Sequence, residues 1–281
     1  VIGCNTFPTW NSYPGLFASL VTGNTVVVKP HPHAVLPLAL AVSVARSVLA
    51  EYGFDPNLVT LAVEESGEAL ASTLALHSAV RIVDFTGSSA YGNWLESHAH
   101  QAVVFAEKSG VNTVVVDSTD DLPGLVANLA YSLSLYSGQM CTAPQVILVP
   151  TGGFSAGSTH CSADDFVAAL SGALDELLGE PARAAALLGA IVSDAVSDRL
   201  DAAANLGTVA IASKQLEHKD FPLARVRTPL VVRVSAPDTD VYGAECFGPV
   251  SFIVETRDIA ESLAVWRSLT TTRGALTASV Y

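Results

Sequence analysis

The sequence predicts an α/β chain built on parallel sheet. Short apolar runs read as strands, among them residues 145–149 and the β-branched run 25–28, which has the look of a strand buried on both faces. Each is set off by longer segments whose apolar residues recur at helical spacing, and this alternation implies helices packed on both faces of a sheet. Half of the 281 residues are hydrophobic and 15% are charged, which suits a folded chain with substantial cores.

Val1-Ile2-Gly3-Cys4 reads as a buried strand, and residues 25–28 as the next. A helix is expected after it, with Leu38, Val42, Ala45 and Leu49 on one stripe and Gly53 as its stop. Residues 58–63 are expected as a strand and 67–77 as a helix. Residues 80–85 form a third run, leading into the turn Thr86-Gly87-Ser88-Ser89 and another helix. Residues 102–106 form a fourth, ending at Glu107. From Val111 the pattern restarts, with a strand at 113–117, a helix at 122–136 and a strand at 145–149. A boundary near 109–112 is therefore expected, dividing the chain into domains 1–110 and 111–281. Residues 151–162, rich in Gly, Ser and Thr, read as an exposed loop. A strand at the very start and another at 275–281 give the expectation that the chain is incomplete at both ends.

The net charge of −13 excludes a nucleic-acid binder, which needs clustered Lys and Arg. It does not exclude a small phosphate-bearing ligand. The longest apolar stretch, residues 36–50, is interrupted by Ser43 and Arg46, so no membrane span is expected. Cysteines at 4, 141, 161 and 246 form no CxxC pair, and a cytoplasmic setting is the simplest. His31 with His33, and His98 with His100, lack carboxylate or cysteine partners at ligand spacing, so no metal site is expected.

Sheets of this kind bind ligands at the carboxyl ends of their strands, which directs attention to the residues after each strand. Cys141 stands in Ser137-Gly138-Gln139-Met140-Cys141-Thr142-Ala143-Pro144, between an amphipathic helix and an apolar strand. Such a junction can open a thiol to a cleft, with nearby N–H groups favouring the thiolate. Taken alone, a buried structural cysteine explains it better. Glu107, just past an apolar strand, is placed for a partly desolvated base. Taken alone, a surface carboxylate paired with Lys108 explains it better.

Read together, the motifs resemble one family. Glu107-Lys108-Ser109-Gly110, Gly138-Gln139-Met140-Cys141 and Glu245-Cys246-Phe247-Gly248-Pro249-Val250 resemble three ordered signatures of the aldehyde dehydrogenase superfamily, and the Glu107-to-Cys141 separation is similar to that family's. Thr22-Gly23-Asn24-Thr25-Val26-Val27-Val28-Lys29-Pro30 resembles its cofactor-binding strand and lysine, and Phe85-Thr86-Gly87-Ser88 its phosphate-side turn. The resemblance implies a Rossmann-type cofactor domain followed by an α/β catalytic domain. It implies that Cys141 attacks the aldehyde, that an Asn amide and the Cys141 N–H hold the oxyanion, and that Glu107 activates the water that releases the acid. Lys29, Gly87 and Ser88 would hold the adenosine ribose and pyrophosphate of NAD or NADP, and Glu245 and Phe247 the nicotinamide end. Asn5, which directly follows the first strand, is the expected oxyanion donor, with Asn11 in the similar-looking Trp10-Asn11 pair as the alternative.

The pattern also departs from the family. Lys108-Ser109-Gly110 replaces the usual Leu-Gly-Gly. Pro32 stands where NAD-preferring members usually carry Glu, which removes a barrier to the 2′-phosphate of NADP, although no Arg stands beside it. The run from Asn5 to Gly15 and the Glu107–Gly110 variant resemble the phenylacetic-acid-degradation branch, the PaaN type, which implies a semialdehyde carried as a CoA thioester. A homo-oligomer is implied for the full-length protein. A CoA-acylating dehydrogenase and a non-catalytic family member are the alternatives; the presence of Glu107 favours hydrolysis over the first.

Overall fold

The computed structural model describes all of residues 1–281, which divide into two compact units, Val1–Ser109 and Gly110–Tyr281. The first unit contains α1 (Pro8–Val21), β1 (Val26–Val28), α2 (Val35–Glu51), β2 (Val59–Leu61), α3 (Leu70–Ala75), β3 (Ile82–Thr86), α4 (Ser89–His98) and β4 (Val103–Glu107). β1 pairs with β2, and β3 with β4, both in parallel. The first residues fill the gap between the pairs. Ile2 bridges in parallel to Lys29 on one side and Phe85 on the other. Its N–H donates to the Asp84 carbonyl at 2.8 Å, and that of Gly3 to the Lys29 carbonyl at 2.9 Å. The order across the sheet is thus β2, β1, residues 1–3, β3, β4. Counting residues 1–3 as the first strand, this is the 3-2-1-4-5 order of doubly wound nucleotide-binding sheets, and the strand order reverses between residues 1–3 and β3.

Leu16, Val26, Val28, Leu38, Val42 and Val59 make one core of this unit, and Ala75, Val83, Phe85 and Leu95 another. α2 releases the chain through Gly53, whose φ of +78° a side chain would resist. β1 is not buried on both faces as its composition suggests: Val27 is 40% exposed between buried Val26 and Val28. A run of three β-branched residues looks the same whether one face is covered or two. α3 is also shorter than the 67–77 span, because residues 65–68 form a turn in which the Glu65 N–H donates to Glu68 Oε2 at 2.8 Å.

The second unit runs β5 (Thr113–Val115), β6 (Ser118–Thr119), α5 (Leu122–Ser134), β7 (Val146–Pro150), β8 (Phe154–Ala156), β9 (Thr159–Cys161), α6 (Ala163–Leu178), α7 (Pro181–Leu187), α8 (Asp194–Ala203), β10 (Thr208–Ile211), β11 (Gln215–Leu216), β12 (Val226–Arg227), β13 (Leu230–Ser235), α9 (Thr239–Tyr242), β14 (Val250–Thr256), α10 (Ile259–Arg273) and β15 (Ala278–Val280). Its main sheet has the order β10-β13-β14-β7-β5-β15, parallel throughout except for β10 against β13. α5 and α6 cover one face with Leu129, Leu133, Phe166 and Leu170. Leu200 of α8, Leu269 of α10 and Tyr242 cover the other. With both faces covered, every residue of β7 is buried, and each such Val, Leu or Ile contributes roughly 1.5–3 kcal/mol.

Residues 151–162 are largely exposed, as their composition suggests, but they are not a loop. They fold as the β8–β9 hairpin, and Phe154 pairs with Cys161 so that both side chains enter the core against Phe166. Two anchors outweigh the polar residues between them. The helix expected to reach 136 stops at Ser134, where the chain kinks into the segment that carries Cys141.

Candidate active site

In the first unit, the carboxyl ends of the strands bring together Asn5, Lys29, Gly87, Ser88 and Glu107. Glu107 is the last residue of β4, in register with Thr86, and its carbonyl accepts the Gly87 N–H at 3.0 Å. Ser88 caps α4, accepting the Tyr91 N–H at 3.4 Å. Lys108 does not pair with Glu107. Its ammonium binds Glu96 Oε2 at 2.8 Å and Asn93 Oδ1 at 3.0 Å, so the Glu107 carboxylate is left to the sheet edge. Asp84, beneath it on β3, has its pKa raised, first by burial and further by the Glu107 charge.

The Asn11 amide donates to Cys4 Sγ at 3.3 Å from the first turn of α1. Asn5 lies half-buried two residues beyond the strand-like residues 1–3. Lys29 follows β1 and is buried in an ion pair with Glu64, which lies three residues beyond the end of β2.

In the second unit, Cys141 is presented by a strained and heavily braced loop. Tyr136 and Ser137 are the two non-glycine residues of the chain with positive φ, 54° and 52°. Left-handed backbone costs an L-residue roughly 1–2 kcal/mol, so the pair persists only because its surroundings hold it. Ser137 Oγ donates to the carbonyls of Gly189 at 2.9 Å and Arg227 at 3.1 Å. Gln139 Nε2 donates to the Tyr136 carbonyl at 3.2 Å and the Ala190 carbonyl at 3.1 Å. Gly138, at φ +63°, lies so close to the next loop that a Cβ would stand 2.5 Å from the Gly248 carbonyl oxygen.

Two buried amides fasten the loop to its neighbours. Asn112 Nδ2 donates to the carbonyls of Cys141 at 2.7 Å and Ala143 at 3.0 Å, while its Oδ1 accepts the N–H groups of Leu276 and Thr277, both at 3.0 Å. Gln145 Nε2 donates to the carbonyls of Ala244 at 2.7 Å and Tyr242 at 3.2 Å, and its Oε1 accepts the Cys246 N–H at 2.6 Å. Arg199 holds the other side of that loop through the Phe247 carbonyl at 2.5 Å. The Cys141 and Glu245–Phe247 segments are thereby locked together. Asn112, Met140, Gln145, Glu245 and Phe247 line a narrow crevice there.

The cysteines differ in environment. Cys141 and Cys4 are half-buried, and Cys161 and Cys246 are buried. Burial, with a contribution from Glu245 against the pull of Arg199, pushes the Cys246 thiol up to about 11, so it stays protonated and structural. Cys141, Glu245 and Asn112 all stand at the amino ends of β7, β14 and β5. Only in the first unit do the candidate residues follow the carboxyl ends of strands, as the sequence pattern predicts. Sequence reasoning also passed over Asn112, Gln145 and Glu64, whose one local signal is a polar residue at the edge of an apolar strand.

No three His, Cys, Asp or Glu side chains gather as a metal site would need, and no helix is long and apolar enough to cross a membrane. Compared with known proteins, residues 2–281 match the model of the aldehyde dehydrogenase family. The chain belongs to the aldehyde dehydrogenase family. Among the family's curated members, it is 30% identical over 278 residues to the N-succinylglutamate 5-semialdehyde dehydrogenase of Burkholderia thailandensis and 29% identical over 280 residues to that of Chromobacterium violaceum. Each alignment takes in 94% of this chain and 52% of the relative, so this aldehyde dehydrogenase chain spans about half the length of the curated relatives it matches. A crystal structure of an NAD-dependent aldehyde dehydrogenase from Burkholderia multivorans superposes with a TM-score of 0.97 at 54% identity, covering 100% of this chain and 50% of that one. The aldehyde dehydrogenase KauB from Pseudomonas aeruginosa shares the fold, with a TM-score of 0.77 at 20% identity, over 99% of this chain and 59% of its own.

Proposed function

We propose that the chain carries the nucleophile, base and cofactor residues of an NAD-dependent dehydrogenase that oxidises an aldehyde to a carboxylate. The observation that carries this reading is the Cys141 loop, where two left-handed residues and two buried amides hold a half-buried thiol beside the Glu245–Phe247 segment. Strain of this kind persists where a reactive group must be kept in one position. The unit Val1–Ser109 is assigned to the cofactor and Gly110–Tyr281 to the thiol.

Donor chemistry supports a dinucleotide. The first unit has the strand order that binds dinucleotides, a Gly87–Ser88 turn ahead of α4, and a Lys29–Glu64 pair suited to ribose hydroxyls. Lys29, Gly87 and Ser88 would hold the adenosine and pyrophosphate, and Glu245 and Phe247 the nicotinamide end. Bound there, the nicotinamide supplies the hydride acceptor. The Cys141 thiolate adds to the aldehyde carbon, while the Asn5 amide and the Cys141 N–H receive the charge that develops on oxygen. Loss of hydride leaves a thioester on Cys141, and Glu107 takes a proton from the water that cleaves it, returning the thiolate and releasing the acid.

For the substrate, the curated relatives favour an acid semialdehyde of the N-succinylglutamate 5-semialdehyde type. The CoA-linked semialdehyde of phenylacetate breakdown rests only on the resemblance of residues 5–15 and 107–110. NADP is the second cofactor choice. A cytoplasmic, homo-oligomeric full-length protein belongs to the same reading. The test is reduced-nucleotide formation from both semialdehydes and an aromatic aldehyde, with wild type and Cys141→Ala. Turnover of at least one aldehyde that Cys141→Ala abolishes is expected. Turnover that survives the substitution overturns the assignment of the nucleophile.

A further inference from the structure

Beyond Pro32, at the position where a discriminating carboxylate is absent from the β1 side, the structure supplies one from the adjacent strand. The Ala62 N–H donates to the Val28 carbonyl at 2.9 Å, so the chain beyond β2 continues alongside the chain beyond β1. Two residues later Glu64 is buried and its carboxylate binds the Lys29 ammonium. Its other oxygen accepts the Ala71 N–H at 3.0 Å. Burial alone would favour the protonated acid, but the Lys29 and Ala71 hydrogen bonds outweigh it and hold the carboxyl below its ordinary range.

The neighbourhood offers no compensating cation. Lys29 is already neutralised by Glu64. His31 is pushed down to about 4, first by burial and then by His33 and Lys29, so it is uncharged near neutral pH. His33 is engaged with Ser66 Oγ through Nε2 at 3.3 Å. Arg46 is spent on the carbonyls of Pro56 and Val59, at the opposite end of β2. In a sheet of this order the adenosine ribose lies over the carboxyl ends of the strands on the β1–β2 side. There a carboxylate binds the free 2′-hydroxyl of NAD, whereas a 2′-phosphate requires a cation.

We propose that Glu64, fixed on Lys29, sets the cofactor preference of this chain for NAD over NADP. The inference rests on the dinucleotide reading given above. Glu64 accepts from the ribose hydroxyl with the lone pairs that Lys29 and Ala71 leave, and meets a 2′-phosphate with like charge.

The test is titration of the 281-residue chain with NADH and with NADPH, following nucleotide fluorescence. Wild type is expected to bind NADH about tenfold or more tighter than NADPH, which corresponds to at least about 1.4 kcal/mol. Glu64→Gln should bring the two affinities within roughly threefold, mainly by tightening NADPH. Glu64→Asp, which keeps the charge, should retain the preference. A Gln variant that leaves the wild-type ratio unchanged, or a wild type without preference, overturns the inference while leaving the dinucleotide reading intact. Binding of neither nucleotide to folded wild type overturns both. Should Glu64→Gln leave Lys29 too exposed to charge burial to fold, the double variant Lys29→Met/Glu64→Met removes both charges together. It is expected to lose the discrimination, and a retained preference for NADH counts against the proposal.

Discussion

Asn112→Ala removes four hydrogen bonds at once: two donated to the Cys141 and Ala143 carbonyls and two accepted from Leu276 and Thr277. The residue is 4% exposed, so little water can replace them. At a net worth of roughly 0.5–1.5 kcal/mol per bond, and more where a buried group is left unmet, the loss comes to about 3–5 kcal/mol. That is a large part of the ~5–15 kcal/mol that holds a domain folded. Urea unfolding should show the midpoint falling at constant slope. Asn112→Asp keeps the acceptor for Leu276 and Thr277 but not the donors to the Cys141 loop. It sets a buried carboxylate oxygen against the Cys141 and Ala143 carbonyls, so it should cost at least as much stability as alanine. Alkylation of Cys141 should slow in both variants, because a misplacement near 1 Å at a reacting group costs on the order of 10²-fold. An alanine variant within about 0.5 kcal/mol of wild type would refute the assignment of Asn112 as the brace of this loop.

Gly138→Ala places a methyl 2.5 Å from the Gly248 carbonyl in left-handed backbone, and a loss of at least about 2 kcal/mol in urea unfolding is expected. Gln145→Ala unties Tyr242, Ala244 and Cys246, so limited proteolysis should open a new cut between residues 243 and 248 while the rest of the chain stays protected. His31 is held below its ordinary 6.5, at about 4, so the unfolded chain binds its proton first as pH falls. Its contribution is therefore complete above 6.5 and is lost as pH drops towards about 4, and His31→Gln should show a smaller fall in melting temperature across that window.

Much of the fold is legible in local pattern. The apolar residues of β7 announce a strand, and Gly53 marks the end of α2, because burial and left-handed backbone leave traces in adjacent residues. The β8–β9 hairpin is not, since Phe154 and Cys161 anchor a stretch whose composition is that of a loop. Among the proposed catalytic residues, Cys141 and Glu107 stand out only through ordered motifs. The residues that hold the Cys141 loop leave no such mark. Asn112 reaches Leu276 and Gln145 reaches Cys246 across more than a hundred residues, and Glu64 meets Lys29 only because β1 and β2 lie side by side. Such pairings depend on how the strands assemble, which periodicity does not encode.

The division of labour between Cys141 and Glu107 is tested most directly by rapid mixing of Glu107→Gln with aldehyde and NAD. The account predicts a burst of about one NADH per active thiol at near wild-type rate, then a stall, with the acyl group found on Cys141 by mass spectrometry. Loss of the burst together with turnover would contradict it, because Glu107 would then act before the thioester forms rather than on the water that cleaves it.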